Sequence, residues 1–222
     1  MTPTRTSLQH LLDLLERFYG PLPLPPHDAF ALYVWEVVSV HTAPGKRDAA
    51  MAALRRIRAL TPDAMARVPR GKLEAAVALA GPYREERLRA LTAGADIFRR
   101  KPDLPRALRA PLPAATEALA ELPHLSAASG QRMLLLAGDH AIMPGDPRLI
   151  RVALRLGYGS RSEDFSRSVS SVQEALAAEL GGVLPTVQRA ASYLAHHGLT
   201  TCLEADPRCY ICPLRNECPS AR

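Results

Sequence analysis

The chain has 222 residues and only four cysteines, Cys202, Cys209, Cys212 and Cys218. All four fall in the stretch C-L-E-A-D-P-R-C-Y-I-C-P-L-R-N-E-C, near the C-terminus. Thiolates are the metal-binding form of cysteine, and the spacing C-x6-C-x2-C-x5-C allows all of them to close round one centre. Three readings compete. Disulfides need an oxidising compartment, and M-T-P-T-R-T-S-L-Q-H carries no apolar signal-peptide core. A structural zinc ion takes four thiolates, but its motifs usually show two C-x2-C knuckles where this stretch has one. A [4Fe–4S] cluster also takes four thiolates and tolerates a compact loop, which Pro207 and Pro213 would stiffen.

Two carboxylates stand apart from the cysteines. Asp146 lies in G-D-P-R-L-I-R-V, where an aspartate before Pro147 is a good helix N-cap whatever else it does. Glu36 lies in A-L-Y-V-W-E-V-V-S-V-H-T. On a helix its surface neighbours would be Leu32, Tyr33, Ser39 and Val40, apolar company that favours the neutral acid and suits it to give up a proton. The plainer reading is a solvent-facing glutamate on an amphipathic helix.

The elements that must position these residues read as helices almost throughout. S-L-Q-H-L-L-D-L-L-E-R-F-Y, D-A-F-A-L-Y-V-W-E-V-V-S-V and D-A-A-M-A-A-L-R-R-I-R-A-L carry apolar residues at helical spacing. Thr61 and Pro62 open another helix. A short one spans 71–81, and others follow at 84–98, 114–121, 127–138, 147–156, 164–180 and 185–197. Proline and glycine punctuate them at 22–26, 81–82, 102–113, 144–147 and 181–185. No strand alternation is present, so the fold class is all-α, about ten short helices. No stretch approaches the roughly 20 apolar residues of a membrane span. The net charge of +6 is compatible with a polyanion partner without demanding one. Arginine far outnumbers lysine, which occurs only at Lys46, Lys72 and Lys101. That bias reads as genome composition rather than as a set of individual sites.

H-G-L-T-T-C followed by the cysteine spacing resembles the iron–sulfur loop of the endonuclease III family of DNA glycosylases. In that family the cluster is not the catalyst. Its loop presents basic side chains to DNA phosphate, here Arg208 and Arg215. The resemblance extends upstream. L-P-H-L-S-A-A-S-G-Q-R-M-L at 122–134 is similar to the family's helix-hairpin-helix, L-P-G-V-G-[RK], with His124 and Ser126 in place of its phosphate-approaching glycines. Asp146 falls on the family's catalytic aspartate. A-G-P-Y-R at 80–84 resembles the turn that wedges into the duplex, which puts Pro82 and Tyr83 against DNA. The family's lyase branch carries a lysine where this chain has Ala128, and alanine cannot form a Schiff base with the sugar.

Glu36 falls on the catalytic glutamate of the adenine glycosylase (MutY-type) branch, and His41 takes the place of the glutamine that fills the stack behind a flipped base. The resemblance therefore implies a base-excision DNA-repair protein of helix-hairpin-helix glycosylase fold. A monofunctional glycosylase is expected, with Asp146 and Glu36 as catalytic residues, a [4Fe–4S] cofactor on the four cysteines, and lesion-bearing double-stranded DNA as partner. The alternatives are an inactive iron–sulfur protein that recognises damaged or abasic DNA, and a residual abasic-site lyase. Two lobes are expected, 28–138 bearing the hairpin and 1–27 joined with 139–222, with a DNA groove between them. A bacterial cytoplasmic monomer, nucleoid-associated when bound and without membrane contact, completes the expectation. So does the absence of the separate C-terminal domain with which the adenine glycosylase branch reads the opposite base.

Overall fold

Serine, threonine and aspartate stand where helices must begin, and their side chains accept the backbone N–H groups that a helix start leaves without partners. In the computed structural model, which describes residues 6–221, Ser7 accepts from His10 N at the start of α1 (Leu8–Tyr19), and Asp28 from Ala31 N at the start of α2 (Ala29–Ser39). Proline serves the same purpose by shape, since its fixed φ suits a first turn. It opens α3 (Pro44–Arg56) and, behind the Thr61 cap, α4 (Pro62–Arg67). The proline-rich stretch 102–113, read from sequence as punctuation, holds α7 (Leu104–Ala107) and the start of α8 (Leu112–Ala120), each with proline in its first turn. The remaining helices are α5 (Arg70–Ala78), α6 (Arg84–Arg100), α9 (Ala127–Leu136), α10 (Pro147–Arg155), α11 (Phe165–Leu180) and α12 (Leu184–Thr200). No strand occurs among the described residues, and no helix among them is long and apolar enough to cross a membrane.

The chain divides into two units, Pro25–His140 and the combination of Met1–Leu24 with Ala141–Arg222. In the first, α2 is buried on nearly every face, through Phe30, Leu32, Tyr33, Val34, Val37 and Val38. A helix apolar all round belongs at a centre. The Tyr33 ring lies against Gly94 of α6, where any Cβ would meet its Cε1 at 2.1 Å, and its hydroxyl donates to the Ala90 carbonyl at 2.7 Å. Helices α8 and α9 form the hairpin at the end of this unit.

In the second unit α1 contributes Leu8, Leu11, Leu12 and Leu15 to the core, and Arg189 of α12 binds Asp13 and Glu16 of α1. The main packing is α10 on α12. There the backbones approach so closely that a Cβ on Gly198 would stand 2.6 Å from the Arg148 carbonyl oxygen and 2.9 Å from its carbon. Backbone cannot retreat as a side-chain tip can. Gly198→Ala should therefore cost about 1–3 kcal/mol, as overpacking does. The expected outcome in a urea titration is a lower midpoint with unchanged slope.

Candidate functional site

Asp146 caps α10 and is 2% exposed. Its Oδ1 accepts from Arg148 N at 2.9 Å and from Arg148 Nε at 3.0 Å, and its Oδ2 from an Arg148 Nη at 2.6 Å. The N-cap position explains the carboxylate's place, because a helix N-terminus offers N–H donors and a favourable dipole. The arginine that then folds over it was not expected from sequence. It keeps a negative charge buried at the head of α10.

Glu36 is 1% exposed on α2, deeper than the partly desolvated position expected from sequence. Arg132 of α9 grips it with a two-pronged pair, Nε to Oε1 at 2.5 Å and Nη2 to Oε2 at 3.0 Å. The same guanidinium lies 5.7 Å from the centre of the Trp35 ring, whose other cation is Arg47 at 4.8 Å. Glu36 is thus the anion of a paired site, with each oxygen engaged by Arg132. Asp146 and Glu36 belong to different units.

The structure brings His41 and Tyr83 together. Their rings lie 5.7 Å apart, both residues are exposed, and both have left-handed backbones, at φ 51 and 70°. Pro82 sits exposed beside Tyr83. Arg87, which no sequence signal marks, is buried beneath them and bonds to both loops that carry them. In the hairpin His124 is exposed and also left-handed, at φ 61°. Ser126 caps α9, accepting from Ser129 N at 3.1 Å. Ala128 lies in the first turn of that helix, partly exposed, with no amine to offer.

Cys202, Cys209, Cys212 and Cys218 are unpaired and line one cavity of about 410 Å³. Among the described residues, no three His, Cys, Asp or Glu side chains are grouped to hold a single metal ion. Burial pushes the Cys212 thiol up to about 11, with Cys202, Cys218 and Cys209 adding to it against a backbone hydrogen bond from Leu214. Arg155, Arg161, Arg208 and Arg215 line the same cavity, so an anionic centre on four thiolates would meet positive charge. Arg155 donates to Cys202 Sγ at 3.2 Å and to the carbonyls of Leu203 and Glu204. His197 packs the helix before the loop. Its Nδ1 pairs with the Tyr19 hydroxyl at 2.8 Å, its Nε2 lies 3.5 Å from Cys212 Sγ, and burial, aided by His196, pushes its imidazole down to about 4. Arg208 and Arg215 are exposed on the loop.

No protein-family model matches this sequence, and no curated protein matches it. Solved structures do. A non-covalent endonuclease III–DNA complex aligns at TM-score 0.71 and 20% identity, over 96% of this chain and 94% of that one. A trapped covalent endonuclease III–DNA intermediate aligns at 0.70, with the same identity and coverage. A thermostable thymine-DNA glycosylase aligns at 0.68 and 12% identity, over 96% and 95%. The fold is that of the helix-hairpin-helix DNA glycosylases.

The capping role of Asp146 can be separated from any chemistry. Asp146→Ala should lose about 0.5–2 kcal/mol, the range for removing an N-cap. Asp146→Asn keeps an acceptor there and should recover most of that loss. Thermal unfolding of the two variants beside the wild type measures both.

Proposed function

We propose that this chain is a base-excision DNA-repair protein, a DNA N-glycosylase that releases a damaged or mismatched base and leaves the abasic site intact. The observation that supports it most is Asp146, a carboxylate buried at the head of the helix after the hairpin in a fold shared with DNA glycosylases. In this reading the target nucleotide leaves the stack, because its glycosidic bond cannot be reached inside it. Asp146 faces the positive charge that grows on the sugar as the bond to the base breaks. Water adds at C1′ and loses a proton. The base departs with the bonding electron pair and takes up a proton. Ala128 removes the route through a covalent enzyme–sugar adduct. Glu36, as donor of the proton, must first let go of Arg132.

In the same reading His124 and Ser126 of the hairpin and Arg208 and Arg215 of the loop would meet phosphates. His41, Pro82 and Tyr83 would enter the duplex. The four cysteines would hold a [4Fe–4S] cluster, which supplies no bond-making step here and shapes the loop that carries the two arginines. Four cysteines on one cavity with arginines beside them suit such an anionic group. The protein would act as a monomer on lesion-bearing duplex DNA.

Two observations favour a second reading, a binder of damaged or abasic DNA without turnover. They are Ala128 and the pairing of Glu36 with Arg132.

Purified protein should be yellow-brown and carry about four irons per chain. Colourless protein containing zinc would overturn the cofactor assignment. For activity, labelled duplexes bearing oxidised pyrimidines, mismatches, alkylated bases or an abasic site are incubated with the protein, and each reaction is split between alkali and borohydride. Strand breaks only after alkali, with no trapped adduct and none with Asp146→Asn, are the expected outcome. A borohydride-trapped adduct would show that another amine replaces the one missing at Ala128. Lesion binding without cleavage on any substrate would establish the binder.

A further inference from the structure

Arg87 of α6 is 3% exposed, yet it forms no ion pair with an acidic side chain among the described residues. Its two terminal nitrogens are spent on the chain's own turns. One Nη donates to the Val40 carbonyl at 2.6 Å and to the Thr42 hydroxyl oxygen at 2.7 Å. The other donates to the Pro82 carbonyl and reaches Gly81 O at 3.5 Å. The Thr42 hydroxyl closes the circuit, lying 3.2 Å from the Ala80 carbonyl and 3.0 Å from the Val40 carbonyl. One buried cation thus binds the loop after α2 to the turn before α6.

Those segments carry His41 and Tyr83. Each holds a left-handed backbone, which costs a residue with a Cβ a strain that surrounding structure must sustain. Each projects a ring outward, Tyr83 at 55% exposure, and the rings lie tilted at 47° to one another. Carbonyls gripped immediately before His41 (Val40) and immediately before Tyr83 (Pro82) fix the peptide planes from which both rings depart. A planar fork with several donors can do this; a single ammonium cannot span both loops.

We propose that Arg87 is a positioning residue that locks His41 and Tyr83 into one two-ring element, shaped to stack on a nucleobase left without its partner in a lesion duplex. Every base has a π-face, so such an element needs no particular sequence. The proposal rests on the DNA reading given above.

The test uses the full chain with its native metal content and Arg87→Lys, which keeps the charge and loses the fork. Without DNA, amide hydrogen exchange should quicken together in 40–43 and 80–84 and stay unchanged in the cysteine loop. With DNA, binding is measured to a duplex containing a tetrahydrofuran abasic analogue and to its undamaged counterpart. Arg87→Lys should weaken lesion binding about ten-fold, a loss within the range for removing one stacked base. In a background that lacks both rings, His41→Ala with Tyr83→Ala, the same change should cost less than about two-fold, because the rings it positions are gone.

Unchanged exchange in either segment overturns the clamp. An equal loss in both backgrounds overturns the positioning role and leaves a merely structural arginine. Coupled loosening in a protein whose wild type does not distinguish the lesion duplex overturns the DNA reading instead. If Arg87→Lys does not fold, Thr42→Val, which removes only the bridging hydroxyl, carries the same expectations.

Discussion

The contact on which this structure depends is the one that leaves no room for a side chain, the crossing of α10 and α12 at Gly198. Asp146 stands at the head of α10, and α12 runs directly into the cysteine loop. Holding these helices at backbone distance sets the carboxylate and the thiols on one frame. The closeness also solves a polar problem. The last carbonyls of a helix have no N–H partners of their own. Arg151 reaches across from α10 to the carbonyls of Gly198 and Cys202, and Arg155 to those of Leu203 and Glu204. At a wider crossing the same side chains would fall short, and the start of the loop would lose its anchor.

Arginine performs the equivalent task elsewhere. Arg132 satisfies Glu36, Arg148 satisfies Asp146, and Arg87 gathers the carbonyls of two turns. In each case a flat fork of donors meets acceptors arranged side by side, which lysine does not match. A composition reading treats abundant arginine as background. That holds for exposed residues such as Arg89 and Arg167, whose pairs with acids three positions before them are worth little. It fails for Arg87, which is buried, where a cation without acceptors would be costly, and for Arg132 and Arg148, which pair with the buried carboxylates of Glu36 and Asp146.

What the sequence could disclose is what depends on short range. The cysteine spacing, the caps at Asp28, Thr61 and Asp146, and the helical run of α2 are local patterns, and each element lies where its pattern puts it. The error at 102–113 is local too: a proline-rich stretch reads as a break, yet proline there stands in the first turns of α7 and α8. The partner of Glu36 lies 96 positions away, and periodicity, which compares residues a turn apart, carries no trace of it. The pairing of His41 with Tyr83 escaped for the same reason. Each ring could be placed against DNA by resemblance, but their adjacency exists only once α2 and α6 have packed.

The left-handed residues carry the reasoning one step further. His41, Tyr83 and His124 adopt a backbone that glycine enters freely and that costs other residues about 1–3 kcal/mol. In the hairpin, His124 replaces a glycine of the pattern L-P-G-V-G. The substitution would be expected to divert the turn and spoil the approach of its N–H groups. His124 nonetheless takes up a left-handed φ of 61°, the conformation glycine enters freely, and Ser126 caps the helix that follows. An exposed imidazole thus stands where the pattern has only backbone. A side chain at a left-handed turn costs strain, so the departure from glycine changes what the turn exposes without requiring that the left-handed conformation be given up.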